Sequence, residues 1–151
     1  MKKKSLFFSL CMLSIMAFCF SACSDDDEEI VVSVSDLKGT WESVHISYYY
    51  KEDGKIVEQG EEADTNWRIV FNEDGTCKDG EFYGDKWHWD TGTWSCENNK
   101  ITTYFKYRDA RTVTIKNLTS TKLVVEFIDK YTDDGMACED YELTEYRKIS
   151  E

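Results

Sequence analysis

Residues 67–83 read WRIVFNEDGTCKDGEFY, and this stretch holds the pattern that decides the fold. Trp67, Ile69 and Phe71 occupy every second position and therefore share one face of a strand, because successive side chains in a strand point to opposite faces. An Asp-Gly pair follows at residues 74–75 and marks a tight turn, since the second turn residue often needs positive φ. The apolar face and the turn together predict an antiparallel hairpin.

The same succession of strands and turns continues along the chain. There is no proline, aromatic residues make up 15% of the sequence, and Gly, Asn and Asp cluster at short intervals, as hairpins require. Eight strands are predicted, near residues 40–50, 66–73, 76–83, 87–96, 100–107, 111–117, 122–131 and 139–148. No helix of useful length is indicated. Because closure removes the exposed edges of a meander, we predict an all-β fold, an eight-stranded antiparallel up-and-down barrel.

Several short motifs follow one another in a characteristic order along residues 36–149. They are Leu37-Lys38-Gly39-Thr40-Trp41, Phe71 to Thr76, Gly92-Thr93-Trp94-Ser95, Leu118-Thr119 with Leu123 to Glu126, and Tyr146-Arg147. In this order they resemble the bacterial lipocalin-like domain proteins. The resemblance implies a barrel in which Gly39 permits a close approach at the base, Trp41 plugs that end, and Arg147 lies over the tryptophan ring. Lipocalins proper also carry a helix packed on the barrel, for which this sequence shows no pattern.

The N-terminal residues 1–22 have the layout of a secretory signal peptide. Three lysines give a basic start, and residues 6–20 form an apolar run interrupted only by two serines. As a helix this run would reach about 22 Å, less than the roughly 30 Å hydrocarbon core of a bilayer, which favours cleavage over retention.

Phe20-Ser21-Ala22-Cys23 resembles the bacterial lipoprotein signal motif, in which the cysteine is lipidated and becomes the first mature residue. Each buried acyl methylene contributes about 0.8 kcal/mol, so two or more chains on Cys23 would hold the protein on a membrane. A plain secreted protein and an uncleaved signal anchor are the alternatives. The carboxylates of residues 25–29 resemble the export signal of surface-exposed lipoproteins in some Gram-negative bacteria, or form a solvated linker. The predicted location is the outer membrane, lipid-anchored and exposed at the cell surface.

These features divide the chain into a signal peptide, a tether and one domain. The domain boundaries are 1–22 for the signal peptide, 23–35 for the lipidated cysteine and acidic tether, and 36–151 for the barrel. Residues 30–35 fit either an added edge strand or an extended tether. The formal net charge is −12, and loss of the signal peptide removes three lysines to give −15, which argues strongly against binding nucleic acid.

Three of the six cysteines lie beyond the lipidation site, at Cys77, Cys96 and Cys138. In an oxidising compartment they allow one disulfide and one spare thiol, and the sequence leaves the pairing open. Our hypothesis is a bond between Cys77 and Cys96. Because no CxxC element is present, a thiolate zinc site is not expected.

Catalytic and metal-binding motifs are not apparent. His88-Trp89-Asp90 puts an imidazole and a carboxylate on one strand face, and His45 lies on another strand, but a metal site needs three or four converging ligands. The sequence contains no GxSxG elbow, HExxH, P-loop or GxGxxG. We therefore predict no metal, no cofactor and no enzymatic activity.

Aromatic residues exceed what a small core needs, and inward-facing ones could line an apolar pocket. The candidates for such a pocket are Trp67, Trp87, Trp89 and Tyr104. A small apolar or amphipathic ligand in the barrel is the function that the lipocalin-like resemblance implies. The alternative for the aromatics is a role in the barrel core and wall.

A second hypothesis is an interaction module with a packed barrel, since small eight-stranded barrels can be filled by their own side chains. Loops would then contact a protein or a glycan, and the negative charge would favour a cationic partner. Residues 51–66, KEDGKIVEQGEEADTN, form the longest and most acidic predicted loop. A disordered, solvated loop is the alternative interpretation of this segment.

Overall fold

The computed structural model of the protein describes residues 32–63 and 66–150. The described elements are α1 (Val34–Leu37), β1 (Gly39–Glu52), β2 (Lys55–Glu62), β3 (Trp67–Phe71), β4 (Thr76–Tyr83), β5 (Lys86–Glu97), β6 (Lys100–Phe105), β7 (Arg108–Leu118), β8 (Lys122–Asp133) and β9 (Met136–Ser150). The predicted signal peptide, Cys23 and the carboxylates of residues 25–29 lie outside the described residues. No helix in the described part of the chain has both the length and the apolar character needed to cross a bilayer.

The strands form one antiparallel sheet that closes on itself. Each strand from β3 to β9 pairs with the next, and β1 pairs with both β3 and β9. These eight strands make a closed barrel, which confirms the predicted fold. The ninth strand, β2, pairs beside the distal half of β1, from Ile46 opposite Glu62 to Glu52 opposite Lys55, whereas β3 pairs with the first four residues of β1.

The prediction that residues 51–66 form a long loop was wrong. β1 continues to Glu52, and the chain turns at Asp53-Gly54, where φ is 45° and 76°, before β2 returns along β1. Every side chain of β2 except Gly60 is exposed, so the strand has no buried face to give its sequence an apolar alternation. Two-residue turns with positive φ also join other hairpins, at Gly84-Asp85, Asn98-Asn99 and Asp134-Gly135.

A single helical turn, α1, begins at Val34, within the segment 30–35 for which an edge strand or an extended tether was predicted, and residues 30–31 of that segment lie outside the described residues. The Ser33 backbone N–H donates to the Asp36 carboxylate at 3.1 Å, and the Ser33 hydroxyl donates to the same oxygen at 2.7 Å. This capping box holds the first turn and lowers the pKa of Asp36. Leu37, at the end of the turn, is fully buried in the barrel core.

The core fills the end of the barrel nearest α1, which we call the base. Trp41 is fully buried there, and its indole N–H donates to the Leu37 carbonyl at 2.7 Å. Gly39 is buried opposite Phe71 with φ of 124°, a conformation that favours glycine. The remaining buried core is built mainly from Phe71, Cys77, Trp94, Ile101, Ile115, Leu123 and Val125.

The cation over the Trp41 ring is Lys148 and not the predicted Arg147. Lys148 Nζ lies 5.1 Å from the centroid of the Trp41 ring, whereas the Arg147 guanidinium lies 3.0 Å from the Glu42 carboxylate. In the β1–β9 register Trp41 is opposite Lys148 and Glu42 is opposite Arg147. Adjacent residues in a strand face opposite sides, so the predicted contact between Arg147 and Trp41 was wrong by one position.

The proposed disulfide is absent among the described residues, where Cys77, Cys96 and Cys138 are all free thiols. Cys77 is opposite Gly92 and Cys96 is opposite Ile101, so the two cysteines are not cross-strand partners. The hypothesis of a bond between Cys77 and Cys96 was therefore wrong. Burial raises the pKa of the Cys77 thiol to about 11, which keeps it protonated at neutral pH.

Candidate functional site: a cavity inside the barrel

A cavity of about 350 Å³ lies inside the barrel beyond the packed base. Its wall comes from the inward-facing positions of several strands, because every second residue of a barrel strand points to the interior. The aliphatic and phenylalanine side chains that line it are Ile46, Ile69, Phe71, Ile101, Phe105, Val113, Leu123, Val125 and Phe127. The barrel is thus filled at its base and hollow beyond it, unlike the solid barrel of the second hypothesis.

Charged side chains interrupt the apolar lining in pairs. The Arg108 guanidinium lies 2.7 Å from the Asp79 carboxylate and 3.4 Å from that of Asp90. Its flat face covers the Phe105 ring at 4.2 Å from the centroid. The cation is therefore held by both charge and ring contact, and its ionic partner is already present.

A second arginine is held in the same way where two strands separate. In the described residues, β7 pairs with β8 from Leu118 opposite Leu123 to Thr114 opposite Glu126. Beyond this point Arg111 of β7 lies 4.2 Å over the Phe127 ring of β8 and 2.9 Å from the Glu142 carboxylate of β9. Arg111 therefore bridges β7 to β8 and β9 where the backbone ladder ends.

Only one of the four predicted pocket residues lines the cavity, and that residue is Trp67. Trp87 and Trp89 alternate on β5 with Asp90, whose carboxylate reaches Arg108 at the cavity wall. Tyr104 alternates on β6 with Phe105, which lines the cavity. The prediction that Trp87, Trp89 and Tyr104 line the pocket was wrong because these residues occupy the opposite parity of their strands.

Trp87 and Trp89 have a structural role on the face of the sheet opposite the cavity. Trp89 is opposite Gly80 in the β4–β5 pair, and its ring lies 2.6 Å from where a Cβ on Gly80 would be. The Trp87 ring stacks on Trp89 with 5.6 Å between centroids and is covered by the Arg68 guanidinium at 4.1 Å. The aromatic side chains shield a glycine in the sheet that has no side chain of its own.

The charged residues of the cavity lining were not predicted from the sequence. A usable signal was present on β7, where Arg111, Val113 and Ile115 occupy every second position, and all three side chains face inward. Arg111 stands in line with two apolar core residues and was therefore recognisable as an interior cation.

The two histidines are not brought together. His45 Nε2 lies 3.8 Å from the Glu61 carboxylate, and the His88 ring stacks on Tyr83 with 3.6 Å between centroids. Within residues 32–63 and 66–150, no three His, Cys, Asp or Glu side chains converge as a metal site would require.

The eight-stranded ring, the packed base and the internal cavity define a small up-and-down β-barrel of the lipocalin type. The chain belongs to the lipocalin-like domain family, whose model matches residues 37–125. The matched region begins at the buried Leu37 and reaches Val125 in the cavity wall.

The chain is similar to several solved structures. A lipocalin-like protein from Bacteroides uniformis is 15% identical with a TM-score of 0.53, and the match covers 76% of this chain and 99% of that one. An uncharacterized protein from Bacteroides eggerthii is 13% identical with a TM-score of 0.50, over 75% and 99% of the two chains. Bovine odorant binding protein with a selenium-containing odorant is 19% identical with a TM-score of 0.44, over 81% and 76%. No curated protein sequence matches the chain.

Proposed function

We propose that the barrel binds a small apolar or amphipathic molecule in its internal cavity and catalyses no reaction. The observation that carries this proposal is the apolar cavity of about 350 Å³. Ligand sites are typically concave, of about 300–1,000 Å³, and mostly apolar with a few polar groups that orient the ligand. Arg108 and Arg111, each held over an aromatic ring, are among the polar groups of its wall.

Blocking the cavity tests this function directly. Thr103 lines the cavity, and Thr103→Trp would place an indole inside it. We expect this variant to weaken binding of N-phenyl-1-naphthylamine, a neutral apolar fluorophore, by at least about tenfold. The measurement is a fluorescence titration at low and high salt, with circular dichroism to show that the variant is folded.

Thr102→Trp is the matched control, because Thr102 is the preceding residue of β6 and its hydroxyl lies 3.0 Å from that of Thr112 on the opposite parity. It adds the same ring without entering the cavity. Saturable binding that Thr103→Trp leaves unchanged would place the fluorophore elsewhere. If no saturable binding to the parent protein occurs, the barrel does not carry small apolar ligands.

We further propose that lipid on Cys23 anchors the protein in the outer membrane, with the barrel at the cell surface. The support is the Phe20-Ser21-Ala22-Cys23 motif behind a basic, apolar signal peptide. We expect Cys23→Ala to move the protein from the membrane to the soluble fraction, whereas Cys19→Ala, in the apolar run, leaves it with the membrane. A Cys23→Ala protein that stays with washed membranes would contradict lipid anchoring, and protease treatment of whole cells tests the orientation.

A further inference from the structure

A second pocket of about 510 Å³ adjoins the cavity on the far side of Arg111. Arg111, Phe127 and Glu142 line both spaces, so one ion pair and one ring form the partition between them. The cavity side of this partition is mainly apolar, but the second side is lined chiefly by tyrosines and carboxylates. The two compartments therefore offer contiguous sites of different chemistry.

The tyrosine rings of the second pocket are fixed by contacts within the β1, β2, β8 and β9 strands. The Tyr48 ring covers Gly60 of β2, with its hydroxyl 2.7 Å from where a Cβ on Gly60 would be. The Tyr50 hydroxyl donates to Cys138 Sγ at 3.2 Å. The hydrogen bond to Cys138 raises the pKa of Tyr50, and burial raises the pKa of Tyr131, so both rings are neutral at physiological pH.

The charge of the second pocket is negative. Glu58, Asp140 and Glu142 line it, and the single cation among its lining residues is Arg111, which is already paired with Glu142. Neutral tyrosine faces next to carboxylates attract organic cations through both ring and charge contacts. The net charge of −12 for the chain adds to this preference.

We propose that the ligand is an amphipathic organic cation, with its apolar part in the cavity and its ammonium group in the pocket of Tyr48, Tyr50, Tyr131, Glu58 and Asp140. The inference rests on the proposed function, because the apolar part needs the cavity. An anionic head group is disfavoured, since Arg108 and Arg111 each have a carboxylate partner that such a head would have to displace.

Three compounds with ten-carbon chains and different head groups test the proposal. Decyltrimethylammonium, decanol and decanoate would each displace N-phenyl-1-naphthylamine from the full chain carrying Cys23→Ala, which attaches no lipid. We expect the trimethylammonium compound to bind about five- to tenfold more tightly than decanol, and decanoate to bind most weakly. Removing one pocket carboxylate by Glu58→Gln should reduce that advantage without changing the affinity for decanol.

Glu61→Gln is the matched control, because Glu61 carries the same charge on the same strand but lies beside His45 and does not line the pocket. Equal binding of the three compounds, tightest binding of decanoate, or equal effects of the two glutamine variants would overturn the proposal while the fluorophore still reports a working cavity. Loss of fluorophore binding to the parent protein would instead overturn the proposed function itself.

Discussion

Replacing Trp41 with alanine is expected to lower the free energy of unfolding by about 3–5 kcal/mol, the usual cost of removing a buried aromatic side chain. Trp41 has no exposed surface and fills the base of the barrel together with Leu37. Its truncation would leave a void and take the indole N–H away from the Leu37 carbonyl. Both losses fall on the packed end of the barrel.

The measurement is urea unfolding followed by circular dichroism, with Trp89→Ala as the matched control. Trp89 is 41% exposed on the sheet face opposite the cavity, so its removal should cost clearly less. Trp41→Phe keeps a ring but loses the indole donor, and should fall between the two. If Trp41→Ala does not fold, Trp41→Phe still decides the question. Equal losses for Trp41→Phe and Trp89→Ala would contradict a dominant role for Trp41 at the base.

The fold was predictable because local signals and the closed topology agree. The Asp53-Gly54 and Asp134-Gly135 turns both adopt positive φ, as an Asp-Gly hairpin requires. Trp67, Ile69 and Phe71 share the inward parity that their alternation predicts, and Phe71 is nearly fully buried. Because the turn residues and the strand alternation indicate the same arrangement, the meander can be predicted from one sequence.

The errors have a common physical origin in side-chain direction. A one-residue difference in register moves a side chain to the other face of the sheet, which is why Lys148 and not Arg147 lies over Trp41. Trp87 and Trp89 are apolar without being interior, because Trp89 covers Gly80 on the outer face. β2 escaped prediction because it has no buried face. An apolar residue can lie on either face of a barrel wall. Its hydrophobicity therefore does not tell whether the side chain points into the barrel or covers the outer face.

Whether the barrel is hollow depends on packing between strands that are distant in sequence. The cavity lies between residues as far apart as Ile46, Ile101 and Phe127, and its volume is set by how their side chains meet. Gly92 allows the Phe105 ring to lie close to β5, since a Cβ at that position would be 2.7 Å from the ring. Such contacts have no signature in strand or turn patterns.

Replacing Glu42 with glutamine is expected to lower the free energy of unfolding by about 2 kcal/mol at neutral pH, because two arginines lose their anionic partner. The Glu42 side chain is only 11% exposed and accepts from Arg68 at 2.7 Å and from Arg147 at 3.0 Å. The carboxylate links β1 to β3 and β9 at the seam that closes the barrel. Arg147 is 62% exposed, so water screens its share of the attraction and Arg68 carries most of the effect.

The loss of unfolding free energy in Glu42→Gln should become smaller as the pH falls. Burial opposes ionisation of Glu42, but the hydrogen bonds from Arg68 and Arg147 outweigh it and hold the pKa of Glu42 below its usual value. A carboxyl group with a lowered folded-state pKa stabilises the fold fully above its unfolded-state pKa, and this stabilisation disappears as the pH falls through the folded-state pKa. Urea unfolding at neutral and acid pH should therefore show the parent protein and Glu42→Gln converging in acid, whereas Glu97→Gln, at an exposed position on β5, should match the parent at both. A deficit of Glu42→Gln that is the same at both pH values would mean that packing at the seam, and not the ionised carboxylate, stabilises the closure of the barrel.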